Sequence, residues 1–200
     1  MDRTAELRWF FHRRPPDSVA AWIEAIAGPL ESRCDVYLIL PGTDALGVKV
    51  RGGTTKLEFK LRPRPGEPVT LPGGVSGQRE EWQRWSFARP GWTRLLPRLG
   101  LPATAWRAVS KQRRTATVPY RTESGCRVEF CALTVFPGDT PEPPGSGQRW
   151  STVGFEAYGP DADLVPALMA AADRLFVGLD LNDGLGADLA CGYPGWLATL

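Results

Sequence analysis

Six basic residues fall in three pairs, each on alternate positions of an extended stretch: Lys49 and Arg51 in LGVKVRGG, Lys60 and Arg62 in TKLEFKLR, and Lys111 and Arg113 in AVSKQRRT. Residues i and i+2 of a strand share a face, so each stretch offers a small cationic ledge. Arg grips an oxyanion through forked hydrogen bonds, and Lys acts as a compact point charge. Ledges that meet inside a closed sheet make a pocket for a highly charged anion. Ledges that point outward are a solvated surface.

Other chemistries find little support. His12 is the only histidine and stands before Arg13-Arg14-Pro15, a strand end near solvent. Without a second His, an HExxH motif or Cys/His spacing, no zinc centre is expected. A Ser-His-acid triad would have to use His12, and Ser76 in GGVSG lacks the Gly-x-Ser-x-Gly frame. The Gly-rich pieces lack the Lys-Ser/Thr sequel of a phosphate loop. DLNDG at 180–184 has its third ligand out of register for a calcium loop, and no Glu follows at the needed distance.

The elements that must carry the ledges read as eight strands, over 4–12, 34–40, 46–52, 55–62, 80–88, 105–114, 126–135 and 149–158. Asp17 is a suitable N-cap for a helix over 18–27 with Val19, Trp22, Ile23 and Ile26 on one face. A second helix, 162–177, carries Leu164, Leu168, Leu175 and Phe176 and stops at Gly178. The Pro- and Gly-rich stretches 63–79 and 137–148 read as long hairpin loops. The apolar stretch 179–200 is expected to wrap across one end of the sheet.

Two hundred residues without an internal repeat suit a single domain, 1–200. Eight strands in one domain close into an antiparallel barrel with flanking helices, because closure removes exposed edges. Strand 55–62 sets Lys56, Glu58, Lys60 and Arg62 on one face against Leu57, Phe59 and Leu61 on the other. Alternation alone does not say which face points inward. Since small soluble barrels have apolar interiors, the pattern by itself favours the charges outside. Glu58, two residues from both Lys56 and Lys60, is expected to pair with them. Trp82 and Trp85 fall on opposite faces, at least one of them in packing.

Composition narrows the partners. Twenty-four basic against 22 acidic residues leave a formal charge of +2, so any electrostatic function comes from local clustering. With no aromatic–basic alternation either, nucleic acid is not an expected partner despite the Arg-rich run between Arg79 and Arg114. No span of about 20 apolar residues suggests a membrane helix. The four cysteines form no Cys-x-x-Cys pair and read as free, mostly buried thiols of a cytoplasmic protein. Cys126 and Cys131 should face opposite sides of one strand.

The order of these pieces resembles the CYTH, or triphosphate tunnel metalloenzyme, superfamily. Glu6 stands on the first strand, followed by a helix, CDVYL, Leu-Gly-Val-Lys-Val-Arg, Lys-Leu-Glu-Phe-Lys, Ser-Lys-Gln-Arg, an apolar strand bearing Glu129, and VGFEAYG with Glu156. GYPGWL at 192–197 is also similar to a C-terminal segment of such proteins. The resemblance implies a closed eight-stranded tunnel lined by Arg, Lys and Glu, acting on a triphosphate- or polyphosphate-containing small molecule with Mg²⁺ or Mn²⁺. Position by position it carries the anion to Lys49, Arg51, Lys60, Lys111 and Arg113; Arg62, from the second ledge, and Arg8, which departs from the family's first-strand motif, are expected at the anion beside them. The metal falls to Glu6, Glu129 and Glu156, and a homodimer is allowed. The family's first strand reads Glu-x-Glu-x-Lys, where this chain has Glu6, Arg8 and Phe10, and Tyr158 replaces the second acid of the terminal Glu-x-Glu. Two potential metal ligands and one cation are gone, while the basic set on the later strands persists. Two outcomes are open: a metal-dependent triphosphatase, or a non-catalytic binder of a phosphate-rich ligand or partner.

Overall fold

The computed structural model describes every residue except 27, 53, 55, 89–99, 141–145 and 182–183. The expected last residue of the first helix, the first of strand 55–62, part of the loop 137–148 and part of DLNDG lie outside the described residues.

The described residues form nine strands: β1 (Asp2–His12), β2 (Leu30–Leu38), β3 (Leu46–Val50), β4 (Lys56–Leu61), β5 (Glu67–Thr70), β6 (Ser76–Ala88), β7 (Trp106–Arg121), β8 (Ser124–Pro137) and β9 (Gln148–Tyr158). Among the described residues the helices are α1 (Asp17–Ile26), α2 (Asp161–Phe176) and the single turn α3 (Tyr193–Leu197). Pairing runs β1-β9-β8-β7-β2-β3-β4-β6, and β6 returns to β1, so eight antiparallel strands close into a barrel. β5 pairs only with residues 76–79 at the start of β6. The stretch 63–79 is therefore not a plain loop. It holds β5, a 3-10 turn at Pro72–Gly74 and the first residues of β6. Its prolines and glycines obscure the strand period, yet Pro68 is tolerated because β5 is an edge strand.

β1 shows how the two faces are used. Leu7, Trp9 and Phe11 point outward and join Val19, Trp22 and Ile23 of α1 and Leu164, Leu168, Ala172 and Phe176 of α2 in one core. Trp9 meets Phe155 and Phe176 edge-on, and Trp22 stacks on Phe155. The alternate residues Glu6, Arg8 and Phe10 point inward. Because both faces are covered, every residue from Thr4 to Phe11 is buried. The charged-out expectation is thereby overturned: the apolar face is needed outside, beneath two amphipathic helices. Cys126 belongs to that outer core and Cys131 to an inner cluster, opposite sides of β8 as expected. His12 is exposed at its strand end, and all four cysteines are free. Among the described residues, no helix is long and apolar enough to cross a membrane.

Candidate functional site

The lumen holds a cavity of about 430 Å³. Nine cationic side chains among the described residues line it: Arg8 of β1, Arg33 of β2, Lys49 of β3 and Arg51 just beyond it, Lys60 of β4, Arg84 of β6, Lys111 and Arg113 of β7, and Arg127 of β8. Four carboxylates share the wall, Glu6, Glu58, Glu129 and Glu156, leaving an excess of five positive charges. Six of the seven basic residues expected at the anion site are thus brought together. Arg62 is not in the wall; it lies just past β4, and its guanidinium pairs with Glu80 and with Asp44 at 2.6 Å.

Each lumen carboxylate already holds a cation. Lys60 donates to both oxygens of Glu6 at 2.5 and 2.6 Å. Glu129 accepts Arg8 at 3.0 Å and lies 3.2 Å from Arg113. Arg127 donates to Glu156 at 3.1 Å. Glu58 faces Lys49 at 3.0 Å and Arg51 at 3.5 Å across the β3–β4 ladder, not Lys56 and Lys60 beside it on β4. Cross-strand neighbours are closer than residues two apart on one strand, which explains the different partners. Burial pushes the Glu129 carboxyl up, but Arg8, Lys111 and Arg113 more than offset it and hold it at about 2. The same contest, won by Lys60 and Arg8, keeps Glu6 below the usual carboxylate range.

Arg8 has room because residue 154, opposite it on β9, is glycine: a Cβ there would stand 2.5 Å from the guanidinium carbon. The Arg at the position where the resemblance expects an acid is therefore seated in a shaped slot and bound to Glu129.

The inner end of the lumen is closed by α3. Trp196 stacks on Phe10 with centroids 4.4 Å apart, and Tyr193 stacks on Tyr37 at 5.4 Å. Of the stretch expected to wrap across one end of the sheet, residues 192–197 do cross the end of the barrel, whereas Leu181, Leu185 and Ala190 join the outer core. Lys111 lies against this floor and is 1% exposed. It donates to the Tyr37 hydroxyl at 2.6 Å, faces Asp35 at 3.1 Å, and sits 4.0 Å from the Tyr193 ring centroid. Exposure rises outward through Arg113 at 17% and Lys60 at 29% to Arg127 at 41%, which places an open mouth at the Arg127 end. Trp82 is buried under Lys60, 5.0 Å from ammonium to ring centroid.

Arg33, Arg84, Arg127, Tyr37 and Tyr193 were not singled out from the sequence. Arg84 stands two residues after Trp82, and Arg127 two before Glu129, so alternation from a known inward residue would have found both. Arg33 required the earlier start of β2.

Glu6, Glu129 and Glu156 do not assemble a metal centre. Among the described residues, no group of three or more His, Cys, Asp or Glu is placed to hold an ion. Their oxygens are engaged by ammonium and guanidinium groups, whereas Mg²⁺ and Mn²⁺ need several converging oxygen ligands. These donors do not fit a resident divalent metal.

The closed eight-stranded antiparallel barrel with a cation-lined lumen is the architecture that the resemblance implies. No protein-family model and no curated protein matches the sequence. Among solved structures, it is similar to a conserved hypothetical protein of Pyrococcus furiosus, at 14% identity and TM-score 0.47, over 90% of this chain and 94% of that one. A chain of the Schizosaccharomyces pombe Mediator head module follows, at 11% identity and TM-score 0.49, over 86% and 90%. A putative adenylyl cyclase of Hippeastrum, described as having a dominant triphosphatase activity, aligns at 13% identity and TM-score 0.32, over 86% and 85%.

Proposed function

We propose that the protein binds a triphosphate- or polyphosphate-bearing small molecule within its lumen, without a resident divalent metal. The observation that carries this reading is the excess of five positive charges that the described residues place around a lumen cavity of about 430 Å³. A low-dielectric wall with a net excess of positive charge focuses the field on an entering anion. The volume falls in the range of roughly 300–1,000 Å³ usual for small-molecule sites. Three buried donors in the wall, Arg33 Nε, Arg113 Nε and the Tyr193 hydroxyl, also lack hydrogen-bond partners among the described residues, as does one acceptor, Glu58 Oε2. An anion bridging the lumen would give the three donors acceptors.

The metal-dependent hydrolysis implied by the resemblance is the weaker reading, because the acids it needs are committed to Lys60, Arg8, Arg113 and Arg127. Calorimetry with inorganic triphosphate separates the two. Binding should persist in excess EDTA, release no phosphate, and weaken by about tenfold or more from low to high salt as screening grows. Binding that disappears with chelator, or turnover restored by Mg²⁺ or Mn²⁺, would return the protein to the hydrolases.

A further inference from the structure

Lysine is scarce in this chain. Of 24 basic residues only four are lysines, 49, 56, 60 and 111, and three of the four line the lumen. Lys111 differs from the other two. Lys49 and Lys60 are partly open to solvent and each is held by one glutamate. Lys111 is almost wholly enclosed, yet its side chain forms part of the cavity wall. Its surroundings are mixed: Tyr37 and Asp35 of β2, Lys49 of β3, Glu129 and Cys131 of β8, and Tyr193 of α3.

We propose that Lys111 is an amine nucleophile that captures a phosphate-bearing aldehyde as an imine, with Tyr37 as its proton donor. The inference rests on the anion-binding reading above, since the lumen cations are what would bring a phosphorylated carbonyl compound to this amine. An ammonium cannot attack a carbonyl; a desolvated lysine next to another cation can lose its proton near neutral pH. Burial lowers the Lys111 ammonium to about 8, with Asp35 opposing the shift and Lys49 adding to it. At pH 7.5 roughly a quarter of such a group is neutral, against about one part in a thousand for an ordinary lysine.

The chemistry balances with the groups present. The neutral Nζ adds to the carbonyl carbon and forms the carbon–nitrogen bond. The hydroxyl of the resulting carbinolamine leaves as water, taking its proton from the Tyr37 hydroxyl, which stands 2.6 Å from Nζ. Burial keeps that phenol protonated. The proton lost by the nitrogen restores the phenol, so amine and aldehyde give imine and water with no other reactant.

Pyridoxal 5′-phosphate followed by borohydride is the probe, used on the full chain at pH 7.5 with peptide mapping of the adduct. The expected result is close to one label per chain, on Lys111, with Lys49, Lys56, Lys60 and the N-terminus nearly unlabelled. Excess inorganic triphosphate should slow labelling by about tenfold or more, and the rate should level off above a pH near 8. Tyr37→Phe should slow imine formation while leaving Lys111 the labelled residue. A label on Lys49 or Lys60, no label at all, or a rate still climbing past pH 10 overturns the proposal. Failure here is separable from failure of the anion reading: triphosphate binding by calorimetry without Lys111 labelling sinks this inference alone, and unprotected labelling without triphosphate binding sinks the other.

Discussion

Arg8 and Glu129 sit at the centre of the polar lumen, and their pairing explains why the acid expected at position 8 is not needed for the fold. Arg8 and Arg113 converge on one partly buried carboxylate, and removing it would leave two guanidinium groups without their counter-charge. Glu129→Gln should therefore cost about 3 kcal/mol at pH 7 by denaturant unfolding. The sign with pH follows from a folded value of about 2 against an ordinary 4.5: the stabilisation is full above about 4.5 and is lost as pH falls towards 2. The gap between wild type and variant should thus close over that window, and a gap that stays constant would mean that charge is not the cause. At this scale the sequence was informative about faces but not about direction. Alternation put Lys49, Lys60 and Lys111 on definite sides of their strands, and nothing within a strand says which side is the lumen.

Direction becomes decidable at the scale of elements. α1 and α2 each present one apolar face, and such faces must cover something equally apolar. The matching surface is Leu7, Trp9 and Phe11 with Val128, Val153 and Phe155, so the charged alternates can only turn inward. Weighing helices against strand faces would have settled the orientation without coordinates. The hairpin at 63–79 was less legible, since its strand pairing depends on β6 and on a proline allowed only at an edge. Phe176, at the end of α2, touches Trp9, Trp22 and Phe155 and is fully buried. Phe176→Ala should cost about 3–5 kcal/mol, read as a shift in unfolding midpoint. Triphosphate affinity should change little while the barrel stays folded, because this contact lies outside the lumen. A large loss of affinity in the folded variant would show that the two sides of the wall are coupled.

Over the whole molecule, the formal charge is only +2 although the lumen wall alone carries five excess positive charges, so the remainder is net negative by about three. Charge has been segregated inward, and composition by itself conceals this. The barrel encloses the cations, α3 seals one end with Trp196 and Tyr193, and the mouth lies at the Arg127 end. Function in this account belongs to the interior and owes nothing to a basic outer surface. The most direct test is a crystal soaked with inorganic triphosphate in the presence of EDTA. The account predicts density for the anion inside the barrel, in contact with Lys49, Lys60 and Arg113. Density confined to the outer surface, or an anion held in the lumen only after Mn²⁺ is added, would contradict it.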